Sequence, residues 1–229
     1  MPLVEGVRLA VKTLGCKVNQ VESDALVGLL KPLQPVVVPP ETGADLVVIN
    51  TCAVTTSAEA DARKEVRRAR RANPAAFIVV TGCYAELAPD QLAELGADVV
   101  LPNSRKAELP GVILQRFGLP ADPITTPPNE FWGAGERGLL NNYVRAFLKV
   151  QDGCNAGCAY CIIPRLRGRE RHRGHLEALQ EAEALLEAGV QEIVLTGVRL
   201  GSYKGHPRGI AGLVEELALM GAKVRLSSI

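Results

Sequence analysis

Apolar residues in the first half of the chain fall in short runs separated by helical stretches. Residues 7–14 (VRLAVKTL), 45–49 (DLVVI), 77–80 (FIVV) and 97–101 (ADVVL) read as buried strands, apolar along their length rather than alternating. Residues 21–30 and 57–73 read as helices between them. In the second, Ala62, Val66, Ala69 and Asn73 recur at i, i+4, i+7 and i+11 on one side, and Pro74 stops the pattern. Residues 89–95 predict one more short helix. Strands alternating with helices imply an α/β fold, a parallel sheet with helices on its faces.

The pattern then lapses. Residues 119–133 (LPADPITTPPNEFWG) hold four prolines and no periodicity, and residues 119–141 are assigned to a linker. A second α/β unit follows, with strands at 143–150, 192–195 and 223–227 and helices at 176–188 and 210–220. Leu176, Leu179, Ala182 and Leu186 are expected to form the buried face of the first of these helices, capped by Gly189. The chain thus divides into 1–118, 119–141 and 142–229. Three strands with the last one terminal leave an open, apolar sheet edge, which reads as a truncated barrel. Residues 142–229 alone are expected to associate or be degraded. Residues 1–118 are expected to fold alone, with proteolysis falling between Pro120 and Pro128.

Composition narrows the class. Aromatics are only 4% of the 229 residues, so the cores rest on Val, Leu, Ile and Ala. No apolar run approaches the ~18 residues of a membrane span. Glu5, Arg8 and Lys12 break any signal-peptide core. The expected compartment is the cytoplasm, with no membrane partner. Net charge is +1, so global charge selects no partner. Its distribution does more. Residues 61–73 carry six cations against two acids, and residues 165–173 carry Arg165, Arg167, Arg169, Arg171 and Arg173 against Glu170. Local basic surface of this kind suits a nucleic-acid backbone. For the first run a solvated helix face is the favoured reading. The second leaves a cysteine loop directly, which places guanidinium groups close enough to grip a cosubstrate or RNA phosphate. Gly-rich phosphate loops of the dinucleotide or Walker type are absent, which argues against a dehydrogenase or ATPase.

Six cysteines in a reducing compartment argue for metal or redox chemistry rather than disulfides. Residues 152–164 (DGCNAGCAYCIIP) place Cys154, Cys158 and Cys161 at C-x3-C-x2-C directly after a strand. Gly153 and Gly157 permit the tight backbone that a wrapping loop needs. Three thiolates suit a four-iron cubane that keeps one iron free of protein ligands. A zinc site completed by His172 or His175 is the alternative, although closed zinc sites more often pair C-x2-C or C-x2-H units.

Cys16, Cys52 and Cys83 share no local motif, but each lies just past a predicted strand. In an open parallel sheet the C-terminal strand ends line one edge, where ligands bind, so the three can converge. Gly15 and Gly82 allow close backbone approach there. Three separate buried hydrophobes are the plain alternative. His172, His175 and His206 have no partner pattern and read as surface or locally hydrogen-bonded residues.

C-x3-C-x2-C with Tyr160 before its last cysteine resembles the radical S-adenosylmethionine superfamily. The resemblance implies that Cys154, Cys158 and Cys161 hold a [4Fe-4S] cluster, with Tyr160 as the motif's aromatic. It implies that the open iron binds the amino and carboxylate groups of S-adenosyl-L-methionine and that reduction yields a 5′-deoxyadenosyl radical. Residues 142–229 then begin a partial (β/α) barrel, and Thr196 and Gly197, in LTGVRLGSY, lie beside the methionine moiety.

The segments TLGCKVNQVESD, VINTCAV and VTGCYAELAP resemble the three cysteine segments of the methylthiotransferases. With CNAGCAYCIIPRLRGR and EIVLTGVRLGSY the likeness covers nearly the whole chain. It implies a second [4Fe-4S] cluster on Cys16, Cys52 and Cys83, above an open parallel sheet of Rossmann or flavodoxin-like type. TLGCKVN and VLTGVRLGSY are most similar to the subgroup acting on threonylcarbamoyl-adenosine beside the tRNA anticodon. The implied activity adds a methylthio group to carbon two of that base. The radical removes its hydrogen, the second cluster supplies sulfur and a second S-adenosylmethionine supplies the methyl. The implied partners are tRNA, an electron donor such as flavodoxin or ferredoxin, and a sulfur donor. The implied full-length state is a monomer with a complete barrel and a small RNA-binding domain, and the present chain alone is expected to be inactive. The same chemistry on isopentenyladenosine tRNA or a ribosomal-protein aspartate stays open, as does a non-catalytic zinc- and RNA-binding module.

Overall fold

The structure, a computed structural model, describes residues 6–120 and 145–227. Most of the assigned linker, and the start of the strand expected at 143, lie outside these residues.

The N-terminal unit runs β1 (Arg8–Thr13), α1 (Lys17–Leu29), β2 (Val36–Val37), β3 (Leu46–Thr51), α2 (Thr56–Ala72), β4 (Phe77–Gly82), α3 (Cys83–Leu87), α4 (Pro89–Glu94), β5 (Val99–Pro102) and α5 (Leu109–Arg116). Its strands form one parallel sheet in the order β2-β1-β3-β4-β5. This is the flavodoxin-like order, whose switch point lies between β1 and β3. All six residues of β3 are buried, as a central strand covered on both faces requires. On α2 the Thr55 hydroxyl accepts the Ala58 N–H at 3.1 Å, and Ala62, Val66 and Ala69 are buried as expected. The sequence pattern missed β2, too short to show a period, and α5, whose Leu109, Ile113 and Leu114 are buried against the sheet. It also started α1 four residues late. The first turn of α1 holds a single apolar residue, Val18, while Asn19 and Glu22 are buried polar positions that an apolar stripe does not reveal.

The C-terminal unit runs β6 (Arg145–Lys149), β7 (Gln151–Asp152), α6 (Ile163–Arg167), β8 (Arg171–His172), α7 (His175–Glu187), β9 (Glu192–Thr196), α8 (Gly209–Leu219) and β10 (Lys223–Leu226). β6, β9 and β10 form a parallel sheet with β9 central, the sequential order of a (β/α) barrel wall. The antiparallel pair β7–β8 closes the base of the cysteine loop. One expectation fails on α7. Its buried stripe is Ala178, Ala182 and Leu185, at i, i+4 and i+7, flanked by Leu179 and Leu186. Leu176 is exposed, because at about 100° per residue it lies about 160° round the axis from that stripe's centre. Ala188 caps the helix, and Gly189 is the residue after it. The edge strand is also less apolar than expected. Lys223, Arg225 and Leu226 are exposed, and Arg225 Nε meets the buried Glu192 at 3.0 Å.

The two units share a core. Leu166 of α6 is fully packed into the N-terminal cluster that includes Val80, Cys83, Tyr84 and Leu92, with Ile162 beside it. α1 packs on β6 and α3 on α6. Leu166 and Ile162 of the C-terminal unit thus add to the core of the N-terminal one.

Candidate metal centre

The sheet register brings Thr13, Asn50 and Thr81 level with one another, so β1, β3 and β4 end at one edge. Cys16, Cys52 and Cys83 follow within three residues of those positions, and the first two flank the switch point. Asn19 ties the edge together. Its Nδ2 donates to the carbonyls of Leu14 at 2.8 Å and Thr51 at 3.0 Å, the lead-ins to Cys16 and Cys52, and the Cys16 Sγ lies 3.9 Å from its Oδ1. Thr51 Oγ1 accepts the N–H of Tyr84 at 3.2 Å and Ala85 at 3.3 Å, which fixes the helix that starts at Cys83. Gly15 has φ +93°, and a Cβ there would sit 2.6 Å from the Cys52 Cβ and 2.7 Å from its Sγ. The backbone beside one cysteine is thus pressed onto the side chain of the next, as expected of converging strand ends.

Cys154, Cys158 and Cys161 ride on the loop between β7 and α6. The Cys161 N–H donates to the Cys158 carbonyl at 3.0 Å, and the Cys154 N–H donates to the Gly168 carbonyl at 3.2 Å. Gly153 has φ +67°, and a Cβ there would lie 2.1 Å from the Arg169 carbonyl oxygen, so only glycine fits. Cys154 is buried, Cys158 exposed and Cys161 intermediate; Tyr160 is 92% exposed. An open depression of about 400 Å³ lies against Cys154, Gly157, Pro164 and Arg169.

The structure supplies a connection between the two cysteine sets that the sequence did not reveal. Glu22 of α1, Lys106 of the 3-10 turn Asn103–Glu108, Lys149 of β6, Asp152 of β7 and Arg167 of α6 form a buried ion cluster across the junction. Glu22 meets Lys106 at 2.5 Å, Lys149 at 2.7 Å and Arg167 at 3.1 Å. Asp152 meets Lys149 at 2.7 Å and Arg167 at 3.1 Å. Arg167 also donates to Asn19 Oδ1. Burial alone raises the Glu22 carboxyl, but Lys106, Lys149 and Arg167 hold it well below the usual carboxylate range. Burial likewise opposes ionisation of Asp152, and Lys149 and Arg167 bring it to about 2. Burial pushes the Cys83 thiol up, against Arg167, Lys106 and an Asn103 Nδ2 bond at 3.6 Å. The available signal was Asn19, Glu22 and Leu26 at i, i+3 and i+7, two polar residues on a buried stripe.

The other predicted residues divide. The Thr196 hydroxyl donates to the Val194 carbonyl at 3.0 Å, within its own strand. A Cβ on Gly197 would meet Leu200 at 2.9 Å and Gln151 at 3.0 Å. Gln151 Oε1 accepts the N–H groups of Val198 and Arg199 at 2.8 Å, so the start of the cysteine loop holds the turn after β9. The arginine run is largely spent on the fold. Arg167 is buried, Arg171 reaches Asp152 and Arg173 pairs with Glu181, while Arg165 and Arg169 are exposed. On α2, Arg63 donates to the Tyr84 hydroxyl and Arg70 to the Gly96, Pro74 and Ala76 carbonyls; Lys64, Arg67, Arg68 and Arg71 face solvent. His175 contacts the Gly205 carbonyl and His206 contacts Glu216, as locally bonded histidines. The ring of His172 packs edge-on against Tyr203.

Thiols are the donor type that an iron–sulfur cluster takes. All six thiols are free, three on a tight loop and three on a sheet edge backed by buried cations. Among the described residues no three His, Cys, Asp or Glu side chains stand close enough to hold a single metal ion.

Comparison with known proteins agrees with this division. Residues 8–102 match the uncharacterized protein family UPF0004, and residues 148–228 match the radical SAM superfamily. The chain is 38% identical to the threonylcarbamoyladenosine tRNA methylthiotransferase of Bacillus subtilis, over 96% of this chain and 51% of that protein. It is 39% identical to the Chlamydia pneumoniae enzyme of that name, over 94% and 49%. It is 32% identical to the tRNA-2-methylthio-N(6)-dimethylallyladenosine synthase of Cereibacter sphaeroides, over 97% and 52%. The chain spans about half the length of these curated relatives. The fold resembles that of the radical S-adenosylmethionine methyltransferase TsrM from Kitasatospora setae, with a TM-score of 0.54 at 17% identity, over 91% of this chain and 50% of that one. With both halves matched in order, the chain is similar along nearly its whole length to the radical S-adenosylmethionine methylthiotransferases.

Proposed function

We propose that this chain provides the two-cluster part of a tRNA methylthiotransferase, adding a methylthio group to carbon two of threonylcarbamoyl-adenosine next to the anticodon. The observation that carries this reading is the pairing of two cysteine sets of different construction across one buried ion cluster. Cys154, Cys158 and Cys161 would hold the cluster that binds S-adenosylmethionine, with Tyr160, Thr196 and Gly197 lining that side. Cys16, Cys52 and Cys83 would hold the auxiliary one. When bound, these groups supply the radical, sulfur and methyl chemistry.

The chain's own residues position and shield. Asn19 and Thr51 fix the strand ends. Gln151 holds the β9 turn beside the cysteine loop. Arg165 and Arg169 are exposed, follow the loop directly in sequence and suit a tRNA backbone. The substrate assignment rests on the higher identity to the threonylcarbamoyladenosine enzymes than to the dimethylallyladenosine one. Further parts of the reading are an electron donor such as flavodoxin or ferredoxin, a separate sulfur donor, a monomeric full-length protein and a cytoplasmic setting. No helix among the described residues is long and apolar enough to cross a membrane.

The test supplies the anaerobically reconstituted full-length protein with reductant, S-adenosylmethionine and two tRNA pools. One pool lacks threonylcarbamoyl-adenosine and the other lacks isopentenyladenosine. Mass spectrometry of nucleosides should find the methylthio product only in the second pool. Product in the first pool alone moves the substrate to isopentenyladenosine, and product in neither removes the tRNA assignment.

A further inference from the structure

β1, β3 and β4 each lead into a cysteine, and the next strand along that edge, β5, leads into Asn103. Gly82 of β4 pairs with Pro102 of β5, so Cys83 and Asn103 leave the sheet side by side. Their backbones are held there, because the Ser104 N–H donates to the Glu86 carboxylate at 3.0 Å, on the helix that starts at Cys83. The Asn103 Nδ2 donates to the Leu166 carbonyl at 2.9 Å and to the Cys83 Sγ at 3.6 Å, a length that the larger radius of sulfur allows. A carbonyl only accepts, so the nitrogen end of the amide must face Leu166; turning the amide over would put two oxygens together. One amide hydrogen is taken by Leu166 and the other is left for the sulfur. Leu166 lies on α6, five residues past Cys161, and the Gly168 carbonyl that follows α6 accepts the Cys154 N–H. The segment that closes the loop site therefore also aims a donor at the edge set.

We propose that Asn103 is a positioning residue for the Cys16, Cys52 and Cys83 site: its amide, oriented by the Leu166 carbonyl, donates a hydrogen bond to the Cys83 sulfur and raises the reduction potential of the cluster held there. This rests on the two-cluster reading above. A thiolate is a stronger acceptor than a thiol, and reduction adds negative charge to the cluster and its sulfurs. The hydrogen bond strengthens on reduction and so favours the reduced form. The donor belongs to the N-terminal unit, whereas the carbonyl that orients it belongs to the C-terminal one. The potential of the edge site is thereby tied to the docking of α6.

The test uses the full chain with Cys154, Cys158 and Cys161 changed to Ala and reconstituted anaerobically with iron and sulfide, so that only the sheet-edge site takes up iron. Its reduction potential is read by dithionite titration followed by electron paramagnetic resonance, in that background and after Asn103→Leu or Asn103→Ala. Leucine keeps the bulk and loses the donor; alanine loses both. Asn103→Leu should shift the potential to more negative values. Admission of water through a damaged site has the opposite sign, because water stabilises the added charge. An unmoved or more positive potential overturns the proposal. If Asn103→Leu holds no iron, Asn103→Ala decides by the same sign. If neither holds iron, Asn103 builds the site rather than tuning it, and the proposal is again overturned. In the reciprocal background, with Cys16, Cys52 and Cys83 changed to Ala, Asn103→Leu should leave the loop-site potential unmoved; an equal shift there is fatal. If the parent background takes up no iron, the two-cluster reading itself fails and the proposal falls with it. That outcome is distinct from an unmoved potential.

Discussion

Cys154, Cys158 and Cys161 occupy one exposed loop pinned at its base by a two-residue antiparallel pair, whereas Cys16, Cys52 and Cys83 come from three strand ends across the N-terminal sheet. The loop site is defined by chain connectivity, so neighbours in sequence are neighbours in space. An edge site on the other three would require β1, β3 and β4 in register, with Asn19, Thr51 and Arg167 holding their ends. Loss of tertiary order should therefore weaken the edge site before the loop site.

The largest effect comes from emptying one set. Changing Cys154, Cys158 and Cys161 together to Ala should leave about half of the iron and sulfide after anaerobic reconstitution, because the proposed second cluster would have separate ligands. The reciprocal triple change at Cys16, Cys52 and Cys83 should leave the other half. Complete loss in either folded protein breaks the comparison, since the sites would then depend on each other for assembly.

Next in size is Leu166→Ala. The side chain belongs to the loop-bearing unit but fills the core beneath the edge site. The loss should be about 2–5 kcal/mol in urea unfolding. The iron deficit should fall mainly on the edge site. A stable protein with both sites loaded would show that the shared core contributes little.

Asn19→Ala should cost about 1–3 kcal/mol by leaving the Leu14 and Thr51 carbonyls and the Arg167 guanidinium without this partner. Iron analysis of the loop-emptied background should show weaker retention, and the edge-emptied background should be unchanged. Equal losses in both would erase the distinction between the sites.

The smallest effect concerns the helix that follows Cys16. Burial raises the Asp24 carboxyl to about 6. The folded state therefore keeps this proton as pH rises from about 4 to about 6, after the unfolded chain has lost it, and stability falls across that window. Asp24→Asn should stabilise the protein at pH 8 by about 1 kcal/mol after solvent screening, with the gain vanishing below pH 4. Thermal melts at the two pH values check this. A gain that is independent of pH would mean that the carboxylate charge is not the cause.

Much of this was legible in the residues alone. Strand runs such as DLVVI and FIVV had to be buried on both faces, and that fixed a parallel α/β sheet with its strand ends on one edge. The C-x3-C-x2-C spacing put three thiols on one loop, because residues so close along the chain share it. The placement of the other three cysteines just past β1, β3 and β4 was readable as a topological position, since strand ends in a parallel sheet share an edge. Tertiary structure alone decided which side of α7 faces inward, because Leu176 and Ala178 both look apolar and only packing against the sheet separates them. It alone placed Leu166 in the core of the other unit. It alone joined Glu22, Lys106, Lys149, Asp152 and Arg167, drawn from five separate segments. Charged residues in sequence are read as surface by default. Only long-range folding can bring opposite charges together tightly enough to offset the loss of water, and no local pattern encodes that partner choice.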